Sequence, residues 1–286
     1  MKKILIQIDP DPHPSVFDSV VAIDSGVDHL LSHGGVGPEQ VQGLVHGGIF
    51  TRGPKDLNNT AIFVGGSNVS EGEALLKEVT RSFLGPMQVS VMLDANGCNT
   101  TAAAAVLRAG AHVDLSSVNA LVLGGTGPVG QRAGLLLAKE GASVRIGSRN
   151  RERAEGVCTA IGEKVESGDL SGVAAGTPGE VKTAIEGCEV VIAAGAAGVE
   201  LLPEDTWGAA HSLKVAIDLN AVPPEGIGGI SAFAKEEEKH GVICYGAVGV
   251  GGTKMKIHKA AIGALFESND KVLDAEAIYE LGRNLG

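Results

Sequence analysis

Hydrophobic residues fall in short runs between turn-forming residues: KILIQI near the start, then TAIFVGG, MQVSVML, NALVLGG, SVRIGS, EVVIAAG, LKVAIDLN and GVICYGA. Runs of this length, rich in Val, Ile and Leu, predict buried strands. Between them apolar residues recur at helical spacing, over Glu71 to Phe83, Thr100 to Ala109, Pro128 to Lys139, Arg151 to Ile161 and Val181 to Ile185. Strands alternating with helices predict right-handed βαβ units and an α/β fold with a Rossmann-type doubly wound parallel sheet. The pattern turns polar around Gly110 to Ser117 and passes from strand to helix after GVICYGAVGVGG. We therefore expect a nucleotide domain over residues 114–253, and a second α/β domain made of residues 1–113 together with 254–286. The double linker predicts a cleft between them.

A chain of 286 residues is long enough for two such cores. It is 44% hydrophobic but only 3% aromatic, with 42 glycines, so the core is aliphatic and the turns are tight. A net charge of −11 and no long Lys/Arg run argue against nucleic acid or an anionic membrane as partner. The opening MKKILIQIDPD is a buried first strand: Asp9 and Pro10 end its apolar run far short of a signal or membrane segment, which points to the cytoplasm. Cys98, Cys158, Cys188 and Cys244 form no CxxC pair and read as reduced thiols. His29 and His33 in HLLSH have the spacing of a helical metal pair, but the glutamate of the zinc-protease motif and a third ligand are missing, so no metal is expected.

The strand NALVL runs directly into Gly125, Gly127 and Gly130 of GTGPVG and then into a helical segment. In that context Gly125 permits a tight turn, Gly127 lets backbone amides reach a pyrophosphate, and Gly130 lets helix and strand pack closely. Thr126, Pro128 and Val129 complete the loop, and Pro128 suits a first helical turn because its missing N–H costs nothing there. The alternative is a glycine-rich turn that binds nothing. About twenty residues on, where NAD-specific folds carry an acid, the next strand ends in Ser148 and Arg149, with Arg145, Arg151 and Arg153 close in sequence. Arginine pairs with a 2′-phosphate that an acid would repel, so the expected cofactor is NADP. At later strand ends, Ala194 and Gly195 would let a nicotinamide ribose lie against the backbone, and Asn220 would bond the carboxamide.

The segments PSVFDSVVAIDSGVDHL, IFTRG, TAIFVGG, VSVMLDANGCNTTAAA, LGGTGPVG, AGAAGVELLP, PPEGIGGI and GAVGVGGTKMKIHKAAIGALFESNDKVLDAEAIY resemble those of bacterial NADP-dependent methylene-tetrahydromethanopterin dehydrogenase, nearly end to end. Residues 151–186, with the glycine-rich SGDLSGVAAGTPGE, match least. The resemblance implies hydride transfer from the methylene carbon of methylene-tetrahydromethanopterin, and of methylene-tetrahydrofolate as well, to NADP. A homo-oligomer acting on this small molecule is expected. The alternatives are a methylene-tetrahydrofolate dehydrogenase that also hydrolyses the methenyl product, and a non-catalytic NADPH-responsive binding protein.

Loss of hydride from a carbon between two pterin nitrogens leaves a delocalised cation and needs no protein base, so orientation and water exclusion carry the catalysis. The matching segments imply substrate contacts at Ser15, Phe17, Asp18, Thr51, Arg52, Asn96, Thr100 and Thr101. Phe17 would stack on the pterin, and Asp18 or Asp94 would bond its amino-pyrimidine edge and oppose the developing charge. Lys254, at a glycine-rich strand end, is the first choice for a residue needed in turnover, and Asp94 the second. The structural alternative has Asn99 and Thr100 capping a helix through TAAAAVL, Asp94 satisfying neighbouring amides, and Phe17 in the core.

Overall fold

The computed structural model describes residues 1–165 and 168–285; Ser167, which opens the glycine-rich SGDLSGVAAGTPGE, and Gly286 lie outside them. The elements in chain order are β1 (Ile4–Ile8), α1 (Val16–Asp24), β2 (His29–His33), α2 (Pro38–Ile49), β3 (Thr60–Val64), α3 (Val69–Arg81), β4 (Ser90–Leu93), α4 (Cys98–Gly110), β5 (Asn119–Leu123) and α5 (Pro128–Lys139). They continue as β6 (Ser143–Ser148), α6 (Arg151–Gly162), β7 (Leu170–Ala174), α7 (Pro178–Ile185), β8 (Val190–Ala193), α8 (Glu204–Gly208), β9 (Val215–Asp218), β10 (Lys235–Lys239), β11 (Val242–Tyr245), α9 (Ala247–Ala264), β12 (Val272–Leu273) and α10 (Ala275–Arg283).

The chain divides into two units, residues 1–100 with 255–286, and residues 101–254. The boundaries fall inside α4 and α9. The first unit holds a five-stranded sheet in the order β12-β4-β3-β1-β2, parallel throughout. Its central strand β3 is buried at every position, as is β4. From β1 the chain goes first to β2 on one side and then to β3 on the other, so the direction of winding reverses between β1 and β3. Loops that follow the strands part at such a point and leave a crevice at the strands' C-terminal ends.

The second unit holds a seven-stranded sheet, β10-β11-β9-β8-β5-β6-β7, parallel except for β10. Its winding reverses between β5 and β8. One face packs α7 and α8 onto the sheet, where Val181, Ile185, Trp207, Val191 and Leu121 share a buried cluster. All eight apolar runs read as strands are strands here.

Among the described residues four further strands escaped the pattern. HLLSH is not a helix but the edge strand β2, in register with β1 from Ile4 opposite His29 to Ile8 opposite His33. At about 3.3 Å per residue its two histidines stand roughly 13 Å apart, too far to share a metal. The strand β10, KEEEK, has the wrong composition for a strand. It forms because the two-residue turn His240-Gly241, with φ of 54° and 76°, folds it back on β11. β7 and the two-residue β12 complete the set. Among the described residues the four cysteines are free and buried, and no helix is long and apolar enough to cross a membrane.

Candidate active site

In the second unit a cavity of about 450 Å³ opens at the C-terminal ends of β5, β6 and β8. Thr126 and Gly127 form one side, Ala194 and Gly195 another, and Ser148, Arg149 and Arg153 a third. Its floor exists because two loops are glycine. Gly124 has φ of +66°, and a Cβ there would lie 2.6 Å from both Cα and N of Gly195. The tight turn thus belongs to Gly124 rather than to Gly125, whose own constraint is crowding: its Cβ would stand 2.7 Å from Ile146 Cγ2. At Gly130 a Cβ would meet the Gly124 carbonyl oxygen at 2.6 Å and Gly125 Cα at 2.7 Å, so α5 can sit this close to the loop only without a side chain there.

Gly127 is the N-cap of α5 and Pro128 its first residue. Gly125, Pro128, Val129 and Gly130 shape the loop without lining the cavity. The unbonded N–H groups of the α5 N-terminus, with the positive end of its dipole, suit a pyrophosphate. A cradle that any Cβ would fill, with cations on one wall, fits a phosphorylated dinucleotide.

Of the four arginines clustered in sequence, Arg149 and Arg153 line the cavity. Arg145 instead donates to the carbonyl oxygens of Ala184 and Glu186, at 2.8 and 2.7 Å, and Arg151 pairs with Glu155 at 2.9 Å. Asn150, unremarked in the sequence, caps α6 by accepting from the Arg153 amide and borders the cavity. Asn220 does not line it. Its amide donates to the Pro224 carbonyl and accepts from the Val222 N–H, so the side chain ties down the loop after β9.

In the first unit the residues after β1, β3 and β4 gather at the winding reversal. Ser15 caps α1 by accepting from the Asp18 N–H at 3.2 Å. Phe17 is 51% exposed, so it is not core. The Asp18 side chain is 12% exposed. Asn96, exposed and in the left-handed region with φ of 51°, projects just after β4; Thr101, half-buried in the first turn of α4, is the first residue of the second unit.

Asp94 and Thr100 have a different role from the one expected. Asp94 is fully buried and accepts from the Asn99 and Thr100 amides at 2.9 and 3.0 Å and from the Thr100 hydroxyl at 2.6 Å. Bonded by three donors and shielded from solvent, it anchors the start of α4. Thr51 and Arg52 are at the wrong end of the sheet: Arg52 donates to the carbonyl of Lys2, just before β1 begins, and the Thr51 hydroxyl to that of Gly48. Ligands of parallel sheets bind at the opposite edge.

Lys254 does not leave a strand end. It lies half-buried within the 18-residue helix α9, whose first turn packs so closely that a Cβ at Gly249 would overlap the Ala234 carbonyl oxygen. The sequence reading missed Asp9 and His258. Asp9 is buried after β1 and accepts from the Asp11 and Ser15 amides; burial pushes its carboxyl above the usual range. His258, also fully buried, packs its ring on Phe63 at 5.7 Å between centroids. A lone histidine among lysines in a helix gave no signal.

Residues 16–96 match the family model described as methylene-tetrahydromethanopterin dehydrogenase, N-terminal. The chain is 43% identical over 288 residues to the Bifunctional protein MdtA of Methylorubrum extorquens, covering 99% of each chain. It is 33% identical over 292 residues to the NAD(P)-dependent methylenetetrahydromethanopterin dehydrogenase of the same organism, covering 98% of this chain and 97% of that one. Among solved structures, shikimate 5-dehydrogenase from Listeria monocytogenes, in complex with shikimate and NAD, aligns over 98% of this chain and 96% of its own with a TM-score of 0.55 at 14% identity, a likeness of fold alone. With identity to a named member sustained from one end to the other, the chain belongs to the methylene-tetrahydromethanopterin dehydrogenase family.

Proposed function

We propose that this protein oxidises the methylene bridge of methylene-tetrahydromethanopterin to the methenyl form while reducing NADP, with methylene-tetrahydrofolate as a second substrate. The observation that carries the reading is the identity, over nearly the whole chain, to an NAD(P)-dependent enzyme named for this pterin. It covers the first unit as well as the nucleotide fold. When bound, NADP supplies the hydride acceptor. The α5 N-terminus and the Thr126-Gly127 backbone would hold its pyrophosphate, and Ser148, Arg149 and Arg153 its 2′-phosphate. The two arginines, standing where NAD-specific folds carry an acid, support NADP over NAD.

On the pterin side, the exposed Phe17 ring offers a stacking face and the Asp18 carboxylate an acceptor for the amino-pyrimidine N–H groups, with Ser15 at the start of the same helix and Asn96 just after β4. No side chain has to remove a proton, because the product cation is stabilised within its own N–C–N unit. The residues work by orientation, and the negative charge of Asp18 favours the cation as it forms. Lys254 would bond a pterin carbonyl oxygen, since an ammonium beside the new cation would oppose reaction.

The test is an initial-rate assay at the NADPH absorbance band with methylene-tetrahydromethanopterin, methylene-tetrahydrofolate or no substrate, each with NADP and with NAD. Formation of NADPH with a methylene pterin, and none without one, is expected. Tight NADPH binding with no turnover of either pterin would make the protein a nucleotide-responsive binder instead.

A further inference from the structure

The buried imidazole of His258 lies between two carboxylates and two aromatic rings, all within the first unit. Its Nδ1 is 3.9 Å from Asp94 Oδ2 and its Nε2 3.9 Å from Asp18 Oδ1. One ring face stacks on Phe63 at an interplanar angle of 18°, and Phe17 packs against it at 6.3 Å and 39°. The two sides differ in freedom. Phe63 sits in the fully buried strand β3, and Asp94 is held by three donors from its own turn. Phe17, half exposed, and Asp18, partly buried, instead lie in the first turn of α1.

We propose that His258 is a positioning residue: it carries the fixed geometry of Asp94 and Phe63 across to Asp18 and Phe17, setting the carboxylate and the ring that meet the amino-pyrimidine edge and the face of the pterin. This rests on the reading that Asp18 and Phe17 contact the pterin. The position is fully buried, so an apolar side chain would fill it at lower desolvation cost. Instead each ring nitrogen faces one carboxylate at 3.9 Å, so the imidazole stands between the fixed Asp94 and the Asp18 of α1. On its far side Asp18 is not walled in: a Cβ built at Gly65 would lie 3.7 Å from Asp18 Oδ2 and 3.3 Å from Asp9 Oδ2, so the missing side chain leaves room for Asp18 to turn toward Asp9 once the imidazole is gone. The titratable groups facing the imidazole are Asp18 from α1 and Asp94 after β4, with Asp9 beyond Gly65.

The experiment is a double-mutant cycle with His258→Gln, Asp18→Asn and the pair, reading pterin KM, kcat, NADP Kd and melting temperature. His258→Gln is expected to raise pterin KM about tenfold, with kcat changed less than about threefold and NADP Kd within about twofold. Because the histidine acts through Asp18 and Phe17, the KM increase in the double variant should be clearly smaller than the product of the two single increases. Multiplicative losses in the pair, or a pterin KM within about twofold of the parent in His258→Gln, would overturn the inference while leaving Asp18 as a pterin contact. A normal KM in Asp18→Asn would overturn the pterin contact itself and the inference with it. Should His258→Gln fail to fold, His258→Asn serves in the same cycle.

Discussion

Arg149 and Arg153 share the cavity wall, but Arg149 stands first after β6, where the acid of an NAD-specific fold would be. Changing Arg149 to Asp removes a phosphate partner and adds a like charge. NADP Kd should rise at least about tenfold, roughly 1.4 kcal/mol, while NAD Kd stays within about threefold. Equal weakening of both in fluorescence titrations would remove Arg149 from the 2′-phosphate site. For Lys254→Ala we expect kcat lower by roughly tenfold, about 1.4 kcal/mol, with NADP affinity near normal. If both kinetic constants stay within about twofold of the parent, the lysine has no part in turnover. Cys244 bears on stability: burial, and Glu237 after it, push its thiol from the ordinary 9.0 to about 11. The native state therefore keeps a proton that the unfolded chain loses, so this contribution is intact below about pH 9 and lost as pH rises toward 11. Melting temperature should fall across that window, and less steeply in Cys244→Ala; parallel curves would show that other groups carry the effect. Residue identity was enough to place Ser148, Arg149 and Arg153 together at one strand tip, where they line the cavity. It could not tell the partly exposed Asp18 from the buried Asp94, or the strand end of Asn96 from that of Thr51 and Arg52. That distinction depends on which end of a strand a loop joins, and on how many neighbouring amides a carboxylate already serves.

The elements that shape the nucleotide cavity are the ones most exposed to a single added carbon. A methyl at Gly130 has only backbone to push against, so Gly130→Ala should move α5, lower the melting temperature by several degrees and abolish NADP binding. Gly156, in the exposed middle of α6 with open space around it, is the control: Gly156→Ala should stabilise by about 0.5–1 kcal/mol and leave NADP binding unchanged. Calorimetry and nucleotide titration on the two variants check both; wild-type NADP affinity in Gly130→Ala would contradict the cradle. Interior strands were legible because both faces are buried and their composition is uniformly aliphatic. Edge strands were not. β2 has one face in solvent and reads as adjacent leucines between histidines, while β10 is held by its hairpin turn and by pairing to β11 against its own charged composition. The same charges discourage a further strand from adding to that edge.

At the scale of the whole molecule, each unit has its own largely parallel sheet with its own winding reversal, and the residues lining the cavity lie at the reversal of the second. The alternation of strands and helices made this architecture readable. The change of pattern after β11 marked α9 but not where that helix begins, because GVGG looks like a loop until Gly249 is seen packing the first turn against Ala234. The central claim is that a hydride leaves the methylene carbon of the pterin and arrives on NADP. The most direct measurement uses methylene-tetrahydromethanopterin carrying deuterium on that carbon, with the NADPH product collected and weighed by mass spectrometry. The account predicts NADPH heavier by one deuterium, formed in step with the methenyl product. Unlabelled NADPH, or methenyl pterin appearing without NADPH, would contradict it.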